Sequence, residues 1–381
     1  MIHAAYLHIP FCEHICHYCD FNKVYLKGQP VNDYLYAMEK EIELSLAKSP
    51  TDKLKTIFVG GGTPTSLNEI QLEQLCDIIK CNLPYDDSTE FTFEANPGDL
   101  SREKFQILRN AGVNRISFGV QTFNDELLKK IGRTHRAKDV FQSVSLAKET
   151  GFANISVDLI YSLPGQTVDD FKQTLEQAFT LELPHYSGYS LIIEPKTVFY
   201  NLLNKGKLPM VGEDIEAEMY EVLMEEMDKN NLTQYEISNF AKPGFESKHN
   251  LTYWNNESYY GFGAGAHGYV KGFRVSNHGP IKKYIETIHQ GHLPLIHSHE
   301  VSKIEAMEEE MFLGLRKNKG VSETNFIEKF AIDPTKVFEK EIINHQQRGL
   351  LELDDGFIRL TKRGRFLGNE VFQSFIGELK E

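Results

Sequence analysis

The sequence predicts an α/β protein: six βα units, then a Gly- and aromatic-rich segment, then a small helical module with a hairpin. Three observations predict it. In the first half, apolar runs rich in Val, Ile and Phe alternate with stretches of helical period, as in a parallel sheet covered by helices. After Pro195 that alternation stops. From about residue 300 the chain is charged and helical and carries two short extended pieces near its end.

The strands are expected at 4–9 (AAYLHI), 54–60 (LKTIFVG), 90–95 (EFTFEA), 115–120 (RISFGV), 154–160 (NISVDLI) and 185–192 (HYSGYSLI). Helices are expected near 30–48, 68–80, 101–110, 138–150 and 167–181. Six units are too few to close an eight-stranded barrel. An open barrel and a doubly wound sheet both fit the periodicity. Beyond Pro195 a helix is expected over 213–230, with acidic residues in its first turn as the helix dipole favours. The stretch 233–277 is Gly- and aromatic-rich, and a helix is expected over 280–291. GLLELDD and GFIRLT read as a hairpin before a last helix over 362–380. The chain therefore divides into 1–195, 196–298 and a winged-helix-like 299–381. Such modules often bind DNA, but no basic stripe is concentrated here, so a structural role is expected.

The 381 residues carry 41 basic and 54 acidic side chains, a formal charge of −13. That balance argues against a nucleic acid partner, which needs a basic surface. No apolar run reaches the roughly 20 residues of a membrane span. The first residues lack the basic-then-apolar order of a signal peptide. A cytoplasmic location with reduced thiols is the expectation. Five cysteines are too few, and odd in number, for a disulfide framework. Cys76 and Cys81 fall in an apolar helical stretch and are expected in the core.

Cys12, Cys16 and Cys19 form a C-x3-C-x2-C loop just after the first strand. In barrels of this kind, chemistry sits in the loops that follow strands. A structural zinc site wants four ligands, and here His8, His14 or His17 would have to complete it. A [4Fe–4S] cluster held by three thiolates leaves one iron open to a further ligand.

This spacing, with Tyr18 before the last cysteine, resembles the radical S-adenosylmethionine (SAM) superfamily. There the open iron chelates the amino and carboxylate groups of SAM, whose sulphonium is cleaved to a 5′-deoxyadenosyl radical. The resemblance implies that Tyr18 packs beside the cluster and the adenine. Gly60-Gly61-Gly62-Thr63-Pro64 follows the second strand, where consecutive glycines let backbone approach a ligand closely. Glu94, Gln121, Arg133 and Asp158 fall at or near later strand ends. A carboxylate suits ribose hydroxyls, and an Arg fork suits the SAM carboxylate.

YLHIPFC, GGGTP, FEANP, SFGVQTF, GRTH and DLIYSLPGQT together resemble the oxygen-independent coproporphyrinogen oxidase family over nearly the whole chain. The resemblance implies an open six-unit radical SAM barrel with added elements, a cluster on Cys12, Cys16 and Cys19, and SAM contacts at Tyr6, Gly61, Gly62, Thr63, Glu94, Gln121, Arg133 and Asp158. Ile192 and His267 match more loosely. Two departures stand out. The decarboxylating enzyme has a further cysteine where this chain has Phe21, and it carries an extension before its cysteine loop. Both point to a paralogous branch of heme chaperones. The HNLTYW run, His249 to Trp254, resembles that branch's H-N-x-x-Y-W signature.

A neutral imidazole is a common ligand of heme iron, which makes His249 a heme candidate. Tyr253, Trp254, Tyr259 and Tyr260 could cover a flat macrocycle, or His249 could be a core histidine with aromatic packing. The run His289, His292, His297 and His299 is a rival site, read here as a solvated loop. The expected function is a chaperone that passes heme to acceptor proteins, respiratory hemoproteins among them, with a peripheral membrane association plausible on that account. The alternatives are oxidative decarboxylation of coproporphyrinogen III and a zinc-bound structural barrel. Decarboxylation needs cations for acidic propionates, and only Arg133, Arg136 and a few lysines suggest themselves.

Overall fold

The structure, a computed structural model, describes residues 2–379. All six expected strands are present: β1 (Ala4–Ile9), β2 (Thr56–Gly61), β3 (Glu90–Ala95), β4 (Arg115–Gln121), β5 (Asn154–Tyr161) and β6 (His185–Ser190). They lie side by side in that order and run parallel. Most of their residues are buried, which is why they read as unbroken apolar runs. The helices between them are α1 (Val31–Lys48), α2 (Glu69–Asn82), α3 (Arg102–Asn110), α4 (Asp125–Lys130), α5 (Ala137–Glu149) and α6 (Val168–Phe179). Capping boxes at Asn68/Gln71 and Thr167/Asp170 set the starts of α2 and α6. Cys76 is in the core, but Cys81 is exposed. Five positions along a helix is roughly 140° of rotation, enough to carry Cys81 off the buried face.

The sheet is wider than the six units. Further strands are β7 (Thr233–Glu236), β8 (Asn239–Ala241), β9 (Tyr259–Phe262), β10 (His267–Val270), β11 (Phe273–Asn277) and β12 (Leu295–Glu300). The full order is β12-β11-β10-β9-β1-β2-β3-β4-β5-β6-β8-β7. β9 runs parallel to β1, with Ala4 opposite Tyr259, while β10 to β12 and the β8–β7 pair are antiparallel. Among the described residues β12 and β7 do not pair, so the barrel is open. The segment expected to be merely Gly- and aromatic-rich thus supplies five strands. Glycines with positive φ at 263, 265 and 272 separate the short strands and mask their period. The histidine run is also not a loop. His297 and His299 lie on edge strand β12, exposed, and His299 pairs with Glu305 at 2.9 Å.

Helices α7 (Val198–Asn204), α8 (Glu213–Lys229), α9 (Lys248–Trp254) and α10 (Ile281–His289) complete the barrel half. The C-terminal module has its own core, which includes Met311, Phe326, Phe338, Ile358 and Phe375. It runs α11 (Lys303–Gly314), β13 (Val321–Ser322), α12 (Glu323–Phe330), α13 (Pro334–Val337), α14 (Glu339–Gln347), then hairpin β14 (Leu351–Asp354) and β15 (Phe357–Leu360). β13 closes on β15, giving the small sheet of a winged helix. The single last helix expected over 362–380 is instead α15 (Lys362–Phe366) and α16 (Gly368–Gln373), broken at Leu367 (φ −113°). Residue 380 lies outside the described residues. The module meets the barrel through Arg274–Glu309 (2.7 Å), Lys317–Asn255 (2.6 Å) and Arg365–Gln234 (2.8 Å).

One buried carboxyl ties α1 to the added strands. Glu41 accepts from Asn277 Nδ2 (2.6 Å), the Gly263 N–H (2.8 Å) and the Tyr284 hydroxyl (2.6 Å). Burial pushes it up to about 7 against these three donors. The folded state therefore holds a proton that the unfolded chain has released between about pH 4.5 and 7, so this group's contribution falls as pH rises through that window. The expected result is that wild type loses up to about 3 kcal/mol more than Glu41→Gln between about pH 5 and 8. Urea midpoints at the two pH values measure it. An equal loss in both proteins would remove Glu41 as the cause.

Candidate cluster and cofactor site

β1 ends at Ile9, and the loop that follows carries the three cysteines. Phe11–Cys12 pairs in parallel with Val24–Tyr25, which closes the loop on itself. The His17 N–H donates to the Ile131 carbonyl (3.0 Å), and its ring Nδ1 bonds the Lys130 carbonyl (2.8 Å). These contacts fasten the loop to α4. Cys12, Cys16 and Cys19 line one cavity of about 400 Å³ at the C-terminal ends of the parallel strands. In open α/β sheets, ligands bind in the crevice outside the carboxyl ends of the strands.

The same cavity is lined by Gly61, Gly62, Thr63, Glu94, Gln121, Arg133 and Asp158. Gly61 has φ +114°, a conformation open to glycine. Glu94 accepts from the Gly61 N–H at 3.1 Å, and burial pushes its carboxyl up to about 7, with Asp158 adding to the effect. Gln121 sits at φ +68° beside a register shift between β4 and β5, a strained backbone that redirects the end of its strand. Arg133 donates to Cys16 Sγ (3.4 Å) and to the Gly119 carbonyl, and its Nε is buried without a partner. Asp158 accepts from the Ser117 hydroxyl at 3.3 Å. Tyr18 also lines the cavity, whereas exposed Ile192 (67 %) and His267 do not.

The donor set fits an iron–sulfur cluster. Burial pushes the Cys12 thiol up to about 11, opposed by the Thr63 hydroxyl at 3.6 Å, and burial also raises Cys19. Metal loading at such thiols must release protons. Among the described residues no three His, Cys, Asp or Glu groups converge as on a single ion. In a cubane each thiolate takes its own iron, so the thiols can stand apart around one wall. Two of the three histidines that could complete zinc are committed elsewhere. His8 bonds the Asn22 carbonyl (2.7 Å) and Tyr6 (3.0 Å), and His17 is held as above. His14 alone of the three lines the cavity.

A second cavity of about 320 Å³ lies deeper in the barrel and shares Phe21, Glu94, Ser117, Asp158 and Tyr189 with the first. Tyr6 lines this inner cavity rather than the outer one. So do His249, Asn250 and Tyr253 of α9. His249 is 1 % exposed and stacks on Phe58. Its Nδ1 bonds Thr56 Oγ1 and its Nε2 bonds the Tyr253 hydroxyl, each at 2.8 Å. Burial, then the Arg115 charge, lowers its pKa to about 3, so the ring is neutral. The expected aromatic cover is assembled only in part: Tyr253 and Tyr259 pack edge to face at 4.6 Å. Trp254 turns toward the C-terminal module, under the Arg316 guanidinium at 5.2 Å, and Tyr260 bonds the Ser49 carbonyl on the outer side of β9. Helical geometry separates Trp254 from Tyr253 because adjacent helix residues do not share a face.

Sequence reasoning missed Arg115, which also lines the inner cavity. An Arg at the head of a buried strand was the only hint, and it does not by itself mark a ligand site.

The model of the radical SAM superfamily matches residues 6–178, and that of the HemN C-terminal domain matches 301–367. Fold and site define a radical SAM protein. The chain is 55 % identical to the heme chaperone HemW of Bacillus subtilis over 99 % of its own length and 100 % of that protein. It is 48 % identical to heme chaperone HemW of Lactococcus lactis, covering 98 % and 97 % of the two chains. It belongs to the heme chaperone HemW family. The solved structure of the Escherichia coli coproporphyrinogen III oxidase HemN has the same fold, with a TM-score of 0.85 at 22 % identity over 99 % of this chain and 91 % of that one. No helix among the described residues is long and apolar enough to cross a membrane.

Proposed function

We propose that this protein binds heme and passes it to acceptor proteins, and that it carries a [4Fe–4S] cluster on Cys12, Cys16 and Cys19 with exchangeable SAM beside it. The observation that carries this reading is the identity with the Bacillus subtilis chaperone over all of that protein. The outer cavity supports the cofactor part. Gly61, Gly62 and Thr63 would take the amino end of SAM, Arg133 its carboxylate, and Glu94 and Asp158 its ribose, with Gln121 completing the wall. Tyr6 would support this set from the inner cavity through His8. The cluster supplies an iron with an open position and the capacity for one-electron transfer.

Phe21, 57 % exposed and lining both cavities, separates this reading from propionate decarboxylation. His249 enters the proposal as a neutral imidazole that takes iron at Nε2 once the Tyr253 hydroxyl moves aside. The acceptors are heme proteins met in the cytoplasm or at the membrane surface, respiratory hemoproteins being the class in view.

The test is made on anaerobically reconstituted protein. Hemin is titrated by its Soret band, and coproporphyrinogen III is supplied separately with SAM and reductant. One hemin per chain with no vinyl-bearing product is expected. Decarboxylation of both propionates would overturn the chaperone reading. His249→Ala is expected to shift the Soret maximum, and an unchanged spectrum and affinity would place the iron ligand elsewhere.

A further inference from the structure

The inner cavity holds a buried guanidinium that no carboxylate of the chain bonds directly. Arg115 is the first residue of β4, with Thr92 of β3 and Asn154 of β5 on either side. It is 2 % exposed. Its Nε is buried with no hydrogen-bond partner, and among the described residues no carboxylate lies in direct ion-pair contact with its guanidinium. The nearby carboxylates are engaged elsewhere. Glu90 accepts from the Lys248 and His249 N–H groups (3.2 and 3.1 Å), Glu94 from Gly61 and Asp158 from Ser117. Glu94 and Asp158 on the same wall feel the Arg115 charge without bonding it, and a buried guanidinium with a donor left unbonded is unfavourable. Such a group is retained where a ligand completes it, and buried charges of this kind cluster at functional sites.

The rest of the cavity wall describes that ligand. Tyr6, Phe21, Phe58, Tyr189 and Tyr253 give it an aromatic lining. Asn250, Ser187 and Asn239 add uncharged polar groups. Glu94 and Asp158 on the shared wall would repel a multiply charged anion. One guanidinium fork matches one carboxylate in a bidentate pair. The geometry points to Arg115 as the anchor for a carboxylate on a flat apolar ligand. Resting on the heme-chaperone reading, we assign that carboxylate to a heme propionate reaching inward past Phe21.

Esterified hemin separates charge from shape. Full-length reconstituted protein is titrated with hemin and with hemin dimethyl ester. Wild type is expected to bind hemin at least roughly tenfold more tightly than the diester. Arg115→Gln is expected to lose that tenfold for hemin and to leave the diester unchanged, with Arg115→Lys recovering part of it. Equal affinity of wild type for the two forms overturns the proposal, as does unchanged hemin affinity in Arg115→Gln.

SAM binding by equilibrium dialysis is the other arm. A loss of SAM affinity in Arg115→Gln with hemin affinity retained assigns the carboxylate to SAM and overturns the heme assignment. Folding is read separately. The unliganded Arg115→Gln protein should melt at or above the wild-type temperature, because it loses a buried charge that no carboxylate bonds directly. A clearly lower melt makes Arg115 a structural residue and overturns the proposal. If wild type binds neither form of hemin, the chaperone reading fails on its own. Benzoate, a flat monocarboxylate, then serves as the probe. A rise in wild-type melting temperature that is absent from Arg115→Gln supports the anchor, and no rise overturns it.

Discussion

Gly62→Ala is expected to empty the iron–sulfur site while leaving all three cysteines in place. A Cβ at this position would lie 2.8 Å from the Pro10 carbonyl carbon, 2.9 Å from the Phe11 carbonyl oxygen and 2.9 Å from Cys12 Sγ. Favourable contacts between heavy atoms lie at roughly 3.5–4.0 Å, so something must move. Two of the three atoms are backbone, and that backbone is pinned. The Gly62 N–H donates to Ile9 and the Thr63 N–H to Phe11, both at 2.8 Å. The group that can yield is the Cys12 thiol, and yielding takes it off the cavity wall. Overpacking of this kind costs about 1–3 kcal/mol. The larger effect falls on metal loading, because the remaining two cysteines cannot hold three irons. Iron and sulfide per chain after reconstitution should fall several-fold, together with the visible absorption. Gly212→Ala, where an added carbon meets nothing within 4 Å, is the control and should load normally. Full iron and sulfide in Gly62→Ala would sink the idea that Gly62 sets the Cys12 position.

That constraint shows which parts of the site could be read in the sequence. The cysteine loop, the glycine run and the polar residues in or after later strands were legible because the strands, buried on both faces, announce themselves as apolar runs, and because their motifs resemble the radical SAM superfamily. Tyr18 and seven of the residues that the resemblance assigns to SAM reach one cavity. Arg115 was not legible as a ligand anchor. Nothing local distinguishes it from an Arg that bonds a carboxylate after folding, and only the tertiary arrangement, with Glu90, Glu94 and Asp158 bonded to other donors, leaves its guanidinium without a direct partner. The H-N-x-x-Y-W run was half legible. Its spacing on one short helix puts His249 and Tyr253 on the same face and sends Trp254 to another. The added strands were the least legible part. β8 to β11 span three to five residues each, too short for alternation to outweigh the glycines between them.

One of those glycines supports the largest stability prediction. In β9, a Cβ at position 261 would lie 1.8 Å from the His267 carbonyl oxygen and 2.5 Å from its carbon. Both are backbone atoms of β10, so no side-chain rotation relieves the overlap. β9 bridges β1 to every strand beyond it, and Gly263 just after it donates to buried Glu41. Gly261→Ala must therefore push away β10 with β11 and β12 behind it, or tear β9 from β1. The cost belongs at the upper end of overpacking, about 3 kcal/mol or more. At roughly 2–4 °C per kcal/mol for large domains, the melting temperature should fall by about 6–12 °C. The site lies outside the cavity that holds the cysteines, so folded protein below the transition should still load iron and sulfide like wild type. The two glycine variants then separate two functions of close packing: Gly62→Ala loses metal with a modest change in melting, and Gly261→Ala melts early with metal retained. A Gly261→Ala protein that melts within about 2 °C of wild type would show that β9 and β10 can part without loss, and that the added strands are not welded to the barrel as the register implies.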